Sequence, residues 1–162
     1  FGDRARLLPM DGFHLADDEL ARRGSLRRKG APDTFDAAGF VAALARVRAR
    51  GDDVLVPRFD RDLEAAIAGS IRIEPDAKLV VTEGNYLLLD QQPWPAVAAQ
   101  LDESWMLRLD DAVRVERLVA RHVAHGRSRE QAQAWVAEVD EPNAALVIAR
   151  STAADVEMDV SP

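Results

Sequence analysis

The chain has 162 residues, a length that suits one compact domain with a substantial core. Its formal net charge of −7 at pH 7 argues against a general nucleic-acid binder, because such proteins gain affinity from cations that contact phosphate. It has no cysteine, which excludes disulfides and thiolate chemistry, and no signal segment or apolar run of the ~18 residues that a membrane helix needs. We therefore expect a cytoplasmic protein without membrane or nucleic-acid partners.

The first predicted elements are a strand and a helix. The apolar run at 7–10 is typical of a buried strand in a parallel sheet, and it stops at Asp11-Gly12. From Asp36 onward, apolar side chains recur at helical spacing. This pattern predicts a helix with Asp36 as its N-cap and Gly51 as its stop.

A ribbon and a second strand follow. Two strand-like runs at 54–56 and 71–73 flank a polar stretch, which predicts an excursion with a ribbon-like character. The run at 79–82 then predicts a second buried strand. This strand also stops at an acid and a glycine, Glu83-Gly84.

The rest of the chain is mostly helical. PWPAVAAQLD predicts a short helix with proline at its start, and SWMLRLD predicts a third strand that ends at Asp110. Helical segments at 110–124 and 128–139 are broken at Gly126, NAALVIARS adds another, and a weak last strand lies at 155–158. Strands that alternate with helices predict an α/β fold with a largely parallel sheet.

Asp11 and Glu83 both stand where a predicted strand ends. In open parallel sheets, ligands collect outside the carboxyl ends of the strands, so both carboxylates are expected at one crevice. Such a pair can hold magnesium, or one carboxylate can act as a base while the other orients the metal or its waters. The alternative is that Asp11 caps an Asp-Gly turn and Glu83 is an ordinary loop acid.

A set of arginines forms the second candidate site. Arg114, Arg117 and Arg121 share one helix face, and Arg127 and Arg129 follow the break between two helices. Arginine suits a phosphate clamp because its planar fork binds phosphate oxygens in pairs and keeps its charge. The alternative is a solvated helix face that pairs with neighbouring acids.

Two further segments mix proline, an aromatic residue and charges: RRKGAPDTFD at 27–36 and VPRFDR at 56–61. This composition is suited to binding a polar small molecule, and it is equally typical of surface loops. His122 and His125 lie three residues apart, but without a third ligand we favour a surface position over a metal site.

Five motifs, in the same order along the chain, resemble the uridine kinase, phosphoribulokinase and bacterial pantothenate kinase group of P-loop kinases. They are MDGFHL, RRKGAPDTFD, VPRFDR, VTEGNYLLL and the Arg-rich pair of helices. Within that group the chain looks most like bacterial nucleoside or sugar kinases, including those described as fructose-transport-system kinases. The resemblance implies a P-loop NTPase-like, mostly parallel sheet flanked by helices, with a helical Arg-rich lid.

The resemblance also implies an organisation and an activity. It implies one kinase-like domain over 1–162, with an acceptor-binding excursion at about 52–76 and a lid at about 114–140. The implied reaction is Mg²⁺-dependent transfer of the γ-phosphoryl group of ATP to a hydroxyl of a small sugar-, nucleoside- or pantothenate-like metabolite. A homodimer is among the states that the sequence allows.

Individual roles follow from the same resemblance. Asp11 corresponds to the acid that accepts the proton of the attacking hydroxyl, and Glu83 to the catalytic acid close to magnesium and substrate. The other residues implied in binding fall into a nucleotide set, Arg117, Arg121 and Arg127, and an acceptor set, His14, Arg58 and Asp60.

Two features depart from the family pattern. The Walker A pattern G-x-x-x-x-G-K-[ST] does not occur in the 162 residues, and neither Lys29 nor Lys78 follows a glycine. We expect this loop upstream of Phe1; without it, the alternative is a non-catalytic metabolite-binding or regulatory domain on a kinase-like scaffold. In addition, Gly30 stands where uridine kinases carry an acid that reads the ribose diol, so uridine is not the expected acceptor.

Overall fold

The computed structural model describes residues 1–161 and forms an α/β fold of parallel strand pairs flanked by helices, as predicted. The backbone contacts divide the chain into two compact units, Phe1–Leu101 and Asp102–Pro162. The single domain over 1–162 stays a prediction. Within residues 1–161, no helix combines the length and the apolar character needed to cross a membrane.

The first unit contains the predicted strands and helices in the predicted order, together with a short helix, Asp17–Arg22, that was not predicted. In chain order its elements are β1 (Ala5–Pro9), α1 (Asp17–Arg22), α2 (Ala37–Ala49), β2 (Val54–Asp60), β3 (Ala65–Ile73), β4 (Leu79–Glu83) and α3 (Pro95–Ala98). Short 3₁₀ turns lie at Gly2–Arg4, Met10–Phe13, Leu26–Arg28 and Pro32–Thr34.

Strands β1 and β4 pair in parallel. The register runs from Ala5 opposite Leu79 to Pro9 opposite Glu83. Both strands therefore run in the same direction and end at the same edge. The turn Met10–Phe13 follows β1 directly at that edge.

The burial of these two strands differs from the prediction. Leu8 is fully buried, but Leu7 is 50% exposed and its register partner Val81 is 46% exposed. Met10, predicted as part of the strand, lies in the following 3₁₀ turn. One face of the strand pair thus lies in the core, and the other is exposed in the described chain.

Helix α2 begins as predicted and ends one residue earlier. The Asp36 side chain accepts a hydrogen bond from the Gly39 N–H at 2.8 Å, which caps the first turn. The residue in the left-handed conformation at the other end is Arg50, with φ 48°, so Gly51 is not the C-cap. Phe40 is fully buried on the core-facing side of this helix.

The predicted ribbon is a β-hairpin and is longer than the two runs at 54–56 and 71–73. Strands β2 and β3 are antiparallel, and their register shifts between Val56 and Arg58. At the tip, the Asp60 Oδ1 atom accepts the backbone N–H groups of Asp62 at 3.0 Å and Leu63 at 3.1 Å. This Asx-type turn defines the hairpin tip.

An aromatic core lies beside the turn that follows β1. Phe13, the last residue of that turn, packs edge-on against Phe40 with ring centroids 5.0 Å apart. Phe35, Tyr86 and Trp94 contact one another at 5.4 to 6.0 Å between centroids. These contacts anchor the segments on both sides of the strand ends.

The second unit pairs a parallel strand pair with helices. Its elements are β5 (Trp105–Arg108), α4 (Asp111–Ala124), α5 (Arg129–Trp135), α6 (Glu141–Arg150) and β6 (Val156–Asp159). Strands β5 and β6 are parallel, which confirms the weak last strand. Asp110 lies beyond the third strand and caps helix α4 by accepting the N–H groups of the two residues after Asp111.

The helix predicted over 128–139 does not end at residue 139. After α5, a π-helical segment, Val136–Asp140, leads directly into α6, so the helical path continues to residue 150. The break at Gly126 is confirmed, with φ +93°. The buried residues Val119 and Ala132 pack α4 against α5.

Replacing Gly12 with Ala tests the close packing of the 3₁₀ turn on the hairpin. A Cβ at Gly12 would lie 2.3 Å from the Pro57 carbonyl oxygen, so the backbone has to shift. We expect the free energy of unfolding to fall by about 1–3 kcal/mol, the usual cost of overpacking, in urea denaturation. The control is Gly51→Ala, whose Cβ meets nothing within 4 Å and which should stay within about 0.5 kcal/mol of wild type. A Gly12→Ala protein as stable as this control would contradict the close approach.

Candidate active site

The candidate site begins at the edge where β1 and β4 end. Glu83 is the last residue of β4 and lies opposite Pro9, and Asp11 follows in the 3₁₀ turn. The two predicted carboxylates are thus brought together by the parallel register. The charge of Asp11 also acts on the Glu83 carboxyl, as described below.

The glycine after each acid has a packing role. A Cβ at Gly12 would overlap the Pro57 backbone, and a Cβ at Gly84 would lie 2.6 Å from the Cβ and 2.7 Å from the sulfur of Met10. The chain therefore passes too close to its neighbours for any side chain at these positions. The acid before each glycine is left at the edge of the strand pair.

Asp11 does not cap its turn with its side chain. The Asp11 backbone carbonyl accepts the N–H of His14 at 3.2 Å, while its carboxylate Oδ2 pairs with Nη2 of Arg61 at 3.1 Å. About a third of the Asp11 side chain, 33%, is exposed. The carboxylate is thus accessible and is held by an arginine from the hairpin tip.

Glu83 is electrostatically coupled to this pair. Desolvation raises the pKa of the Glu83 carboxyl above its usual range, the charge of Asp11 raises it further, and the Arg61 guanidinium counteracts part of the rise. Two carboxylates and one guanidinium therefore share the edge. A second cation placed there would lower the pKa of Glu83 again.

His14 lies beside Asp11 in an aromatic setting. Its ring centroid is 4.1 Å from that of Phe35 and 4.8 Å from that of Phe59, and its Nδ1 is 2.8 Å from the Asp11 carbonyl oxygen. Burial lowers the pKa of the His14 imidazole from its ordinary value, although its hydrogen bond with Asp11 opposes this shift. Because a carbonyl oxygen can only accept, Nδ1 carries a proton and donates it to the Asp11 carbonyl.

The other two residues of the predicted acceptor set lie on the hairpin. The Arg58 side chain is 61% exposed and lies 3.9 Å from Asp60 Oδ2, a distance at which the charges attract only weakly. The second carboxylate oxygen of Asp60 closes the hairpin turn. Asp60 therefore has a structural task in addition to its predicted binding role.

Hydrogen bonds and an ion pair tie the segment RRKGAPDTFD to neighbouring elements. Lys29 Nζ contacts Asp17 Oδ1 and the Glu64 carbonyl oxygen, each at 2.7 Å, and so ties this segment to α1 and to the hairpin. The Tyr86 hydroxyl donates to the Gly30 carbonyl at 2.6 Å. Gly30 has φ +102°, a conformation that favours glycine.

The arginines predicted to bind the nucleotide belong to the second unit. Arg117 and Arg121 are exposed, and neither has an acidic partner within residues 102–161. Arg127 stacks on Trp135 at 4.1 Å from the ring centroid. Two of the three guanidinium groups are therefore exposed, and the third lies over an aromatic ring.

Arg114 and the two histidines of the second unit have structural partners instead. Arg114 pairs with Asp111 and with Glu141, which matches the alternative of an ordinary helix face. His122 Nε2 lies 2.8 Å from Asp140 Oδ2, and His125 Nδ1 contacts a backbone carbonyl. Residues 1–161 contain no group of three or more His, Cys, Asp or Glu side chains that could hold a metal.

Arg61 is the residue that motif reasoning missed. Arg61 is the last residue of the motif VPRFDR, and no role was predicted for it. Its partner Asp11 is 50 residues away in sequence. The signal that could have found it is the hairpin itself, because the tip of a predicted ribbon can reach a strand end. No local pattern indicates which strand end it reaches.

Comparison with known proteins shows the family. The chain is 36% identical to an ATP-dependent kinase-like protein of Aspergillus versicolor over 125 residues, 72% of this chain and 73% of that protein. It superposes on a solved structure from Silicibacter sp. TM1040, which bears the name of a fructose transport system kinase, with a TM-score of 0.87. That match has 38% identity and covers 95% of this chain and 74% of the other. No family model matches the chain.

A third comparison concerns the fold. YFH7 of Saccharomyces cerevisiae, a P-loop containing kinase with a circular permutation, matches with a TM-score of 0.83, at 22% identity, over 98% of this chain and 58% of that one. The chain spans 63% and 54% of two further curated relatives. This chain therefore belongs to the P-loop kinases of the uridine kinase group.

Replacing His14 with Phe removes a titrating group and keeps an aromatic ring between Phe35 and Phe59. Because burial lowers the pKa of His14 in the folded chain, the unfolded chain binds its proton first as the pH falls below about 6.5. The wild type should therefore lose more free energy of unfolding than His14→Phe between about pH 7.5 and 5.5, as measured by urea denaturation. Equal losses in the two proteins would contradict a buried neutral imidazole.

Proposed function

We propose that the chain is part of an ATP-dependent kinase that phosphorylates a hydroxyl of a small sugar- or nucleoside-like metabolite. The observation that carries this proposal is the pair Asp11 and Glu83: Glu83 ends β4, Asp11 lies in the turn directly after the parallel strand β1, and the two charges are coupled. Phosphoryl transfer requires positioning and charge stabilisation more than covalent chemistry from the protein. An acid, a metal-binding carboxylate and cationic side chains supply these functions.

Asp11 is the proposed general base. Its carboxylate is accessible and accepts the proton of the acceptor hydroxyl as the hydroxyl oxygen bonds to the γ-phosphorus of ATP. The bond from that phosphorus to the β–γ bridging oxygen breaks, and ADP leaves with the electron pair. The His14 imidazole donates from Nδ1 to the Asp11 carbonyl, and burial, which lowers its pKa, disfavours its charged form.

Glu83 is the proposed magnesium ligand. Magnesium is commonly held by one or two carboxylates together with substrate phosphates, so a two-carboxylate edge fits this ion without a larger cluster. The raised pKa of Glu83 is consistent with a carboxylate placed for a cation. When bound, the ion neutralises charge on the phosphate oxygens.

Arg117, Arg121 and Arg127 are the proposed nucleotide-binding residues. The first two are exposed and have no acidic partner in the described part of their unit, so their charge is available for phosphate oxygens. The guanidinium of Arg127 lies over the Trp135 ring, 4.1 Å from its centroid, and this contact limits the rotamer entropy that the side chain loses on binding.

The proposed acceptor set, His14, Arg58 and Asp60, combines an aromatic surface with polar side chains. His14 lies against Phe59, and Lys29 sits 5.4 Å from the centroid of the same ring. Position 30 offers no carboxylate for a ribose diol. The name of the Silicibacter protein, a fructose transport system kinase, supports a sugar as the first acceptor to try.

The substitution Asp11→Asn tests the proposal in the full-length protein. It removes the base but preserves shape, so we expect kcat to fall about 10²–10⁴-fold while ATP affinity stays unchanged. The measurement is ADP release with D-fructose, D-ribose, uridine or pantothenate as acceptor, together with ATP titration by calorimetry. The control is Asp18→Asn, which makes the same charge change at an exposed position of α1 and should retain wild-type turnover.

Two outcomes would contradict the kinase proposal. One is wild-type turnover in Asp11→Asn. The other is a wild-type protein that binds one of these acceptors yet releases no ADP, which would favour the non-catalytic metabolite-binding alternative.

Substitution of the arginines of the second unit tests whether they contribute to ATP binding. Arg117→Gln and Arg121→Gln each remove one charge-assisted hydrogen bond to phosphate, so KM for ATP should rise about tenfold. Arg46→Gln, at an exposed position of α2, removes the same charge elsewhere and should leave KM unchanged. Equal KM values in all three variants would mean that the two arginines form an ordinary solvated face.

A further inference from the structure

Arg61 contacts Asp11 although, within the motif VPRFDR, roles were assigned only to Arg58 and Asp60. It lies directly after β2, in the turn that leads to β3. Asp60 closes this turn by accepting two backbone N–H groups, at 3.0 and 3.1 Å. Lys29 fastens the far side of the tip through the Glu64 carbonyl at 2.7 Å. Hydrogen bonds on both sides of Arg61 therefore fix the backbone of the hairpin tip from which its side chain extends.

The contact with Asp11 uses one oxygen only. Arg61 Nη2 lies 3.1 Å from Asp11 Oδ2, and its guanidinium carbon lies 5.9 Å from the centroid of Phe59. The other carboxylate oxygen, Oδ1, has no hydrogen-bond partner among residues 1–161, and 33% of the Asp11 side chain is exposed. Within residues 1–161, therefore, Oδ2 has a hydrogen-bond donor and Oδ1 has none.

We infer that Arg61 is the positioning residue for Asp11: it holds Oδ2 so that Oδ1 is presented to the acceptor hydroxyl. This role rests on the proposed function, because it requires Asp11 to be the base. The proton moves from the hydroxyl to Oδ1, and Arg61 keeps its own proton throughout. Arg61 thereby links the placement of the base to the hairpin that carries the acceptor residues Arg58 and Asp60.

Two other roles are open to an arginine in this position. One is a surface ion pair, which contributes little to stability when half of the arginine side chain, 49%, is exposed. The other is a direct contact with the transferred phosphoryl group. The three roles differ in how Arg61 substitutions depend on Asp11, and because the pair is exposed the variants should fold.

The first test compares single variants of the full-length protein, with ATP, Mg²⁺ and the best acceptor from the panel above. Arg61→Gln should lower kcat about 10–100-fold, since small misplacements of a catalytic group have effects of this size. KM for acceptor and for ATP should stay within about twofold, because Arg61 acts through Asp11 and not on either substrate. Arg61→Lys keeps the charge and should recover part of the rate.

The matched control is Arg72→Gln. Arg72 pairs with Asp53 at 2.8 Å on the same hairpin, it is 63% exposed, and it lies near the opposite end from the tip. Its loss removes an equivalent charge and an equivalent ion pair without touching Asp11. Arg72→Gln should therefore retain wild-type kcat and KM.

The decisive test is a double-mutant cycle followed with radiolabelled ATP. A positioning residue has nothing to position once the base is gone, so Arg61→Gln should cause no further loss in the Asp11→Asn background. The same fold loss in both backgrounds would show that Arg61 acts on phosphate directly and would overturn the inference. Wild-type kcat in Arg61→Gln would overturn it as well.

Failure of the proposed function looks different. In that case the unmodified protein releases no ADP with any acceptor of the panel, and the role of Arg61 falls with it. Acceptor-dependent ADP release by the wild type, combined with additive losses, leaves the kinase proposal standing and removes the Arg61 inference alone.

Discussion

The parallel pairing of β1 with β4 is the constraint on which the candidate site depends. Because Pro9 lies opposite Glu83, the chain leaves both strands at one edge, and the acid of each ending faces the same space. A shift of one residue in this register would turn the side chains to opposite faces of the pair. The charge coupling between Asp11 and Glu83 is therefore a property of strand register as much as of the two residues.

The hairpin adds a second constraint to the same edge. Its backbone passes so close to Gly12 that no side chain fits there, and its tip delivers Arg61 to Asp11. The hairpin thus contacts the acidic edge in two ways: its backbone packs against Gly12, and its Arg61 forms an ion pair with Asp11. One element packs against the turn that carries Asp11, the proposed base, and also carries the residues proposed to contact the acceptor.

The sequence predicted the acids of the site better than it predicted their partners. Asp11 and Glu83 could be found because each ends an apolar run and precedes a glycine, which is a local pattern. Arg61 could not, because its ion pair joins positions 50 residues apart and depends on the hairpin register. The same limit applies to α2, where Arg50 adopts the left-handed conformation although the glycine that usually does so is its neighbour, Gly51.

The separation of the paired strands along the chain also has a kinetic consequence. The hairpin joins strands that are adjacent in sequence, whereas β1 and β4 pair positions 74 residues apart, such as Ala5 and Leu79. Loop-closure entropy makes such long-range parallel pairing slow compared with hairpin closure. The β2–β3 hairpin should therefore be in place before the acidic edge forms. A partly folded chain would carry a formed ribbon without an assembled acidic edge.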